Sequence, residues 1–99
     1  MDKRVEIAGK AYCLRYSVKA LCDVEARAGG SLDGLMEKQF SATRLLLWGA
    51  LMEHQPDITL CGAGEIISEH IRGGGTLEDI VNMCADALSQ AGFFGSAAM

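Results

Sequence analysis

The stretch "RVEIAGKAYCLRY", residues 4–16, is where a chain that otherwise carries helical spacing alternates apolar and polar side chains in steps of two. Folding it back across Gly9-Lys10 as a two-residue turn sets Val5 opposite Leu14 and Ile7 opposite Tyr12. Those four side chains then share one side, and Arg4, Glu6, Cys13 and Arg15 take the other. Glycine at the first turn position suits the positive φ of a type II′ turn. The stretch therefore predicts an amphipathic β-hairpin. A lone hairpin is marginal in water, so its apolar side must rest on something.

Downstream, the spacing changes to that of helices. Ser17 is placed to cap "VKALCDVEARA", with Val18, Leu21, Cys22, Val24 and Ala28 toward one face and Gly29-Gly30 as the stop. A short helix, "LDGLMEKQ", follows Ser31 as its cap. Ser41 or Thr43 is expected to open "RLLLWGALMEHQ", which is apolar nearly all round and so reads as the central helix, ended by Pro56. Asp57 or Thr59 caps "LCGAGEIISEHIR", whose buried line would be Leu60, Ala63, Ile66, Ile67 and Ile71. After Gly73-Gly74-Gly75, Thr76 and Asp79 have the spacing of a capping box. Leu77, Ile80, Val81, Cys84, Ala87, Leu88 and Ala91 then run down one face, and Gly92 ends the helix. The expected fold is α+β and predominantly helical, an N-terminal two-stranded hairpin followed by about five short α-helices. It forms a single domain over residues 1–99: hairpin 4–16, helical bundle 17–91 and a short tail 92–99.

Composition narrows the function. Nearly half of the 99 residues are apolar, which argues for a packed core. No apolar run approaches a membrane span, and Met1-Asp2-Lys3-Arg4 leads into no secretory apolar region, so an unexported protein away from membranes is expected. The net charge of −4 is unevenly spread. Residues 1–44 carry eight of the nine basic side chains, whereas residues 45–99 carry only Arg72 against seven acids. An acidic second half disfavours binding to nucleic acid, which needs clustered Lys or Arg, and fits a basic protein partner or self-association. Cys13, Cys22, Cys61 and Cys84 are widely separated, with no close pair of the kind that frames zinc sites, and read as small core residues.

Residues able to do chemistry do not converge in the sequence. Glu53-His54 and Glu69-His70 are adjacent pairs on helices, pointing about 100° apart, and neither helix has the two histidines four apart that a zincin needs. "GGGT" at 73–76 precedes a helix but lacks the lysine of a phosphate loop, since no lysine follows Lys38. Tyr12 and Tyr16 flank Arg15, yet strand pairing turns Tyr12 toward the core, and the C-terminal helices are too acidic for a DNA-reading helix. Catalytic, metal and cofactor roles are therefore not expected, and binding surface is what remains. The hairpin offers open strand edges, and Phe93-Phe94 are two aromatics on an otherwise small, polar tail.

The order "VEIAGKAYCLRYSVKALCDVEARAGGSL", "LLLWGALMEHQPDIT", "GEIISEHI" and a last amphipathic helix resembles small phage and prophage tail assembly chaperones of long-tailed phages and gene transfer agents. The shared features are a strand pair "x-G-K-x-Y-x-L-R", a glutamate before "A-x-x-G-G-S-L", and "H-x-P-D". Here these fall on Gly9, Lys10, Tyr12, Leu14, Arg15, Glu25, Gly29, Gly30, Ser31, Leu32, His54, Pro56 and Asp57. The resemblance spans roughly residues 4–91, and Gly62 stands where the pattern has an acidic helix former. It implies a non-enzymatic factor of the bacterial host cytoplasm that binds the tape measure protein, or other phage tail proteins, and keeps it soluble during tail assembly. A homo-oligomer is compatible with that role. A tail tube or connector-associated component retained in the virion is the alternative, and a small transcriptional regulator a more distant one. The candidate partner-binding residues are Tyr12, Leu14 and Tyr16 on the hairpin, with Phe93 and Phe94 in the tail.

Overall fold

A two-stranded antiparallel hairpin followed by helices forms a small α+β domain. The computed structural model describes residues 3–28 and 39–90. Among them the order is β1 (Lys3–Ile7), β2 (Lys10–Leu14), α1 (Val18–Ala28), α2 (Gln39–Leu51), α3 (Leu60–Arg72) and α4 (Leu77–Gln90). The expected helix at "LDGLMEKQ" lies outside the described residues except for Gln39, as do the Gly29-Gly30 stop and the tail from Ala91.

The hairpin forms in a different register from the expected one. Val5 pairs with Tyr12, Ile7 with Lys10 and Lys3 with Leu14, so the turn is Ala8-Gly9 and not Gly9-Lys10. Both turn residues have positive φ, 55° and 82°, as a type I′ turn requires. That turn matches the right-handed twist of the strands, at the cost of placing an alanine where glycine or asparagine is usual. The shift changes each cross-strand partner by two residues and leaves the faces intact. Ile7 and Leu14 are fully buried, with Val5 and Tyr12 packed partly against the core.

Helix α2 is the centre, packing against α1, α3, α4 and β2. Its buried residues include Leu45, Leu47, Trp48, Ala50 and Leu51, distributed around the helix as the apolar run implied. It begins earlier than expected, at Gln39, and Thr43 is an interior residue. The buried Thr43 hydroxyl donates to Gln39 O at 2.7 Å, which satisfies it within the helix and removes any need for a capping position. The helix also ends before Pro56, at Leu51. Leu51 O accepts from the main-chain N–H of both His54 and Gln55, and the Trp48 indole N–H donates to Ile58 O at 3.2 Å, folding the connector back onto the helix.

Capping chemistry explains the other helix starts. Ser17 Oγ accepts from Ala20 N, and Thr59 Oγ1 accepts from Gly62 N, so Thr59 rather than Asp57 is the α3 cap. Thr76 and Asp79 exchange bonds, Thr76 N to Asp79 Oδ2 and Asp79 N to Thr76 Oγ1, completing the capping box. At the end of α3, Gly74 N reaches Ile71 O and Gly75 N reaches His70 O, with Gly74 at φ 103°, a Schellman stop.

Four positions expected in the core, Val18, Cys22, Cys61 and Ile71, are surface positions. Val18 is 67 % exposed and Cys22 is exposed, because α1 turns Ala20 inward beside the expected Val24. The close approach of α1 to α2 at Gly49 fixes that rotation: a Cβ there would lie 2.6 Å from Val24 Cγ2. Ile71, in the last turn of α3, is 39 % exposed.

Candidate functional site

The groups most able to react are dispersed. All four cysteines are free thiols: Cys22 and Cys61 exposed, Cys13 half-buried and Cys84 buried. Burial pushes the Cys84 thiol up to about 11, which makes the nucleophilic thiolate scarce at neutral pH. Its neighbour Tyr16 is likewise held well above its ordinary pKa, first by burial and then by Cys84. No group of three His, Cys, Asp or Glu side chains among the described residues could hold a metal ion.

An acid–histidine pair forms between residues that are not adjacent in the chain. His70 Nε2 lies 3.0 Å from Asp79 Oδ2, across the α3–α4 connection. Asp79 is held below its ordinary pKa first by the bond from Thr76 N and then by His70. The same carboxylate oxygen thus serves both the α4 cap and the imidazole. Gly75 lets the connection pass tightly over the His70 ring, where any side chain would collide. This geometry fastens α3 to α4. Beside it, between the hairpin turn and the end of α3, runs a polar groove of about 580 Å³ bordered by Glu6, Ala8, Glu69, His70 and Arg72.

A second, more apolar surface lies between α2 and α3. Phe40 is 70 % exposed in the first turn of α2, and Ile71 faces the same depression from the last turn of α3. Ile67 forms its floor, with Arg44 and Ser68 at the margin, around a volume of about 280 Å³. The helices close up here because Gly64 leaves room for Arg44, whose Cδ would be 3.2 Å from a Cβ at that position. Exposed phenylalanine beside exposed isoleucine is the kind of patch that marks a contact surface.

The hairpin candidates divide. Tyr12 is half-buried on the inward face. Leu14 and Tyr16 are buried, and the Tyr16 hydroxyl donates to Leu46 O at 2.5 Å, so their side chains serve the core and offer no contact surface; this corrects their assignment as partner-binding residues. Phe93 and Phe94 lie outside the described residues. Phe40 precedes the expected start of α2 and so was not among the candidates. Spacing gave no separate signal for it, because α2 is apolar nearly all round and Leu47, seven residues on, shares the row of Phe40 and Arg44.

No helix among the described residues is long and apolar enough to cross a membrane. Comparison with known family models, curated proteins and solved structures gave no match to the chain.

Proposed function

We propose that this protein is a phage tail assembly chaperone: a non-enzymatic factor that binds the tape measure protein in the host cytoplasm and keeps it soluble until the tail tube forms around it. The observation that carries the reading is the exposed Phe40–Ile71 depression between two helices. A groove between helices suits an amphipathic helix, which lays down anchors spaced three and four residues apart. A client that is long and helical repeats such anchors, so many copies bound along it hold it firmly through weak individual contacts. The sequence resemblance supports the same assignment.

The test is co-expression with the tape measure protein. Phe40→Ser alters a side chain that is 70 % exposed and should change stability by about 0.5 kcal/mol or less, whereas Ile71→Ser, at a side chain 39 % exposed, should cost about 1 kcal/mol, and both variants should keep the fold. The expected result is a several-fold loss of soluble client with both variants folded by circular dichroism. Unchanged client solubility would reject this surface. Assaying finished particles separates the chaperone from a retained tail component: a fixed, stoichiometric copy number in the virion would favour the latter.

A further inference from the structure

The hairpin's outer strand carries a self-complementary edge. In a hairpin with the two-residue turn Ala8-Gly9, the hydrogen-bonded pairs are Ile7 with Lys10, Val5 with Tyr12 and Lys3 with Leu14. Arg4 and Glu6 therefore direct their main-chain N–H and C=O groups away from β2, and no third strand joins the sheet among the described residues. The β2 side is closed at its end, where Arg15 N donates to Ala50 O of α2 at 2.9 Å. On the β1 side, Glu6 and Ala8 line the polar groove, whose other wall is the end of α3 at Glu69, His70 and Arg72.

We propose that β1 pairs antiparallel with β1 of a second copy about a two-fold axis at Val5, joining the two hairpins into one four-stranded sheet. The side chains select this register. Antiparallel pairing that uses the outward groups of Arg4 and Glu6 can centre on Arg4, Val5 or Glu6. Centring on Arg4 sets two arginines face to face, and centring on Glu6 sets two glutamates face to face. Only the axis at Val5 places Arg4 opposite Glu6 of the second copy, twice, with Val5 against Val5 on the inner side. Opposite charges directly across strands stabilise pairing and like charges oppose it. Both side chains are exposed, and their partners within the hairpin, Cys13 and Ala11, carry no competing charge. The pairing also covers an edge that would otherwise invite indiscriminate strand addition. It uses a different face from the Phe40–Ile71 depression and does not depend on the chaperone reading.

Sedimentation of the purified chain up to roughly 1 mM, the weak end of specific association, tests this. The mass should rise from 10.6 kDa toward twice that value as concentration increases. Arg4→Glu and Glu6→Arg should each abolish the rise, because each places like charges opposite one another in both pairs. Mixed in equal amounts, the two variants should form a heterodimer, and the double exchange R4E/E6R should again self-associate. A wild-type chain monomeric throughout, single variants that dimerise like the wild type, or folded variants that stay monomeric when mixed would each overturn the pairing. The double exchange also covers the case in which a single variant fails to fold: its failure to self-associate while the wild type does would reject the register.

Discussion

Among the described residues, Ala8 is the non-glycine residue with a positive φ, 55° in an exposed turn. The left-handed region costs an alanine about 1 kcal/mol relative to residues suited to it. Ala8→Asn gives the Asn-Gly pair favoured by type I′ turns and should raise stability by about 0.5–1 kcal/mol, seen as a Tm increase of roughly 2–8 °C. A fall in Tm would mean that the turn is not of this type. Asp79 carries a second prediction at this scale. Its folded pKa is depressed, so its contribution to stability is present above the ordinary carboxylate pKa and is lost as pH falls through the folded value. Asp79→Ala should therefore lower Tm at neutral pH, and the gap from wild type should narrow below about pH 4. A gap independent of pH would show that the carboxylate charge is not what caps α4. The capping box itself was readable from Thr76 and Asp79 three apart; the His70 contact was not, because it depends on how tightly the glycine connection folds.

The contact between α1 and α2 governs how α1 presents its surface. With no side chain at Gly49, Val24 approaches the α2 backbone, and Ala20 turns inward beside it while Val18 and Cys22 stay at the surface. Gly49→Ala should cost about 1–3 kcal/mol through overpacking, despite alanine's better helix propensity. Combined with Val24→Ala, the two changes should show less loss than their sum, because the smaller side chain makes room for the added methyl. Denaturant unfolding of the four proteins in that cycle measures the coupling; strict additivity would contradict the close approach. The helix limits of α1 and α3 agree with the sequence pattern because Ser17 and Thr59 supply local caps. The start of α2 does not, since Thr43 satisfies its hydroxyl inside the helix and gives no outward sign of doing so. The hairpin's faces were legible from alternation, whereas its register was not: both registers place the same residues inward, and a positive φ at Ala8 runs against residue preference.

At the scale of the molecule, one central helix joins the other helices and the hairpin into a core, and the surfaces left over differ in character. The α2–α3 side sets exposed Phe40 and Ile71 among Ser41, Arg44 and Ser68. The β1 edge is polar, lies beside a charged groove and is suited to a second strand. Charge asymmetry and the absence of a reactive motif pointed to binding, but the location of the apolar depression emerges only when α2 and α3 are placed together. Phe40 and Ile71 are thirty-one residues apart in the chain. Leu14 and Tyr16, read from the hairpin as contact residues, are instead consumed by the core beneath it. The proposed docking of a tape measure helix in this depression is read by amide chemical-shift mapping of the isotope-labelled chain with a helical segment of that client. The account predicts saturable shifts clustered at Phe40, Arg44, Ile67, Ser68 and Ile71. Saturable shifts confined to other surfaces, or none at millimolar client, would contradict it.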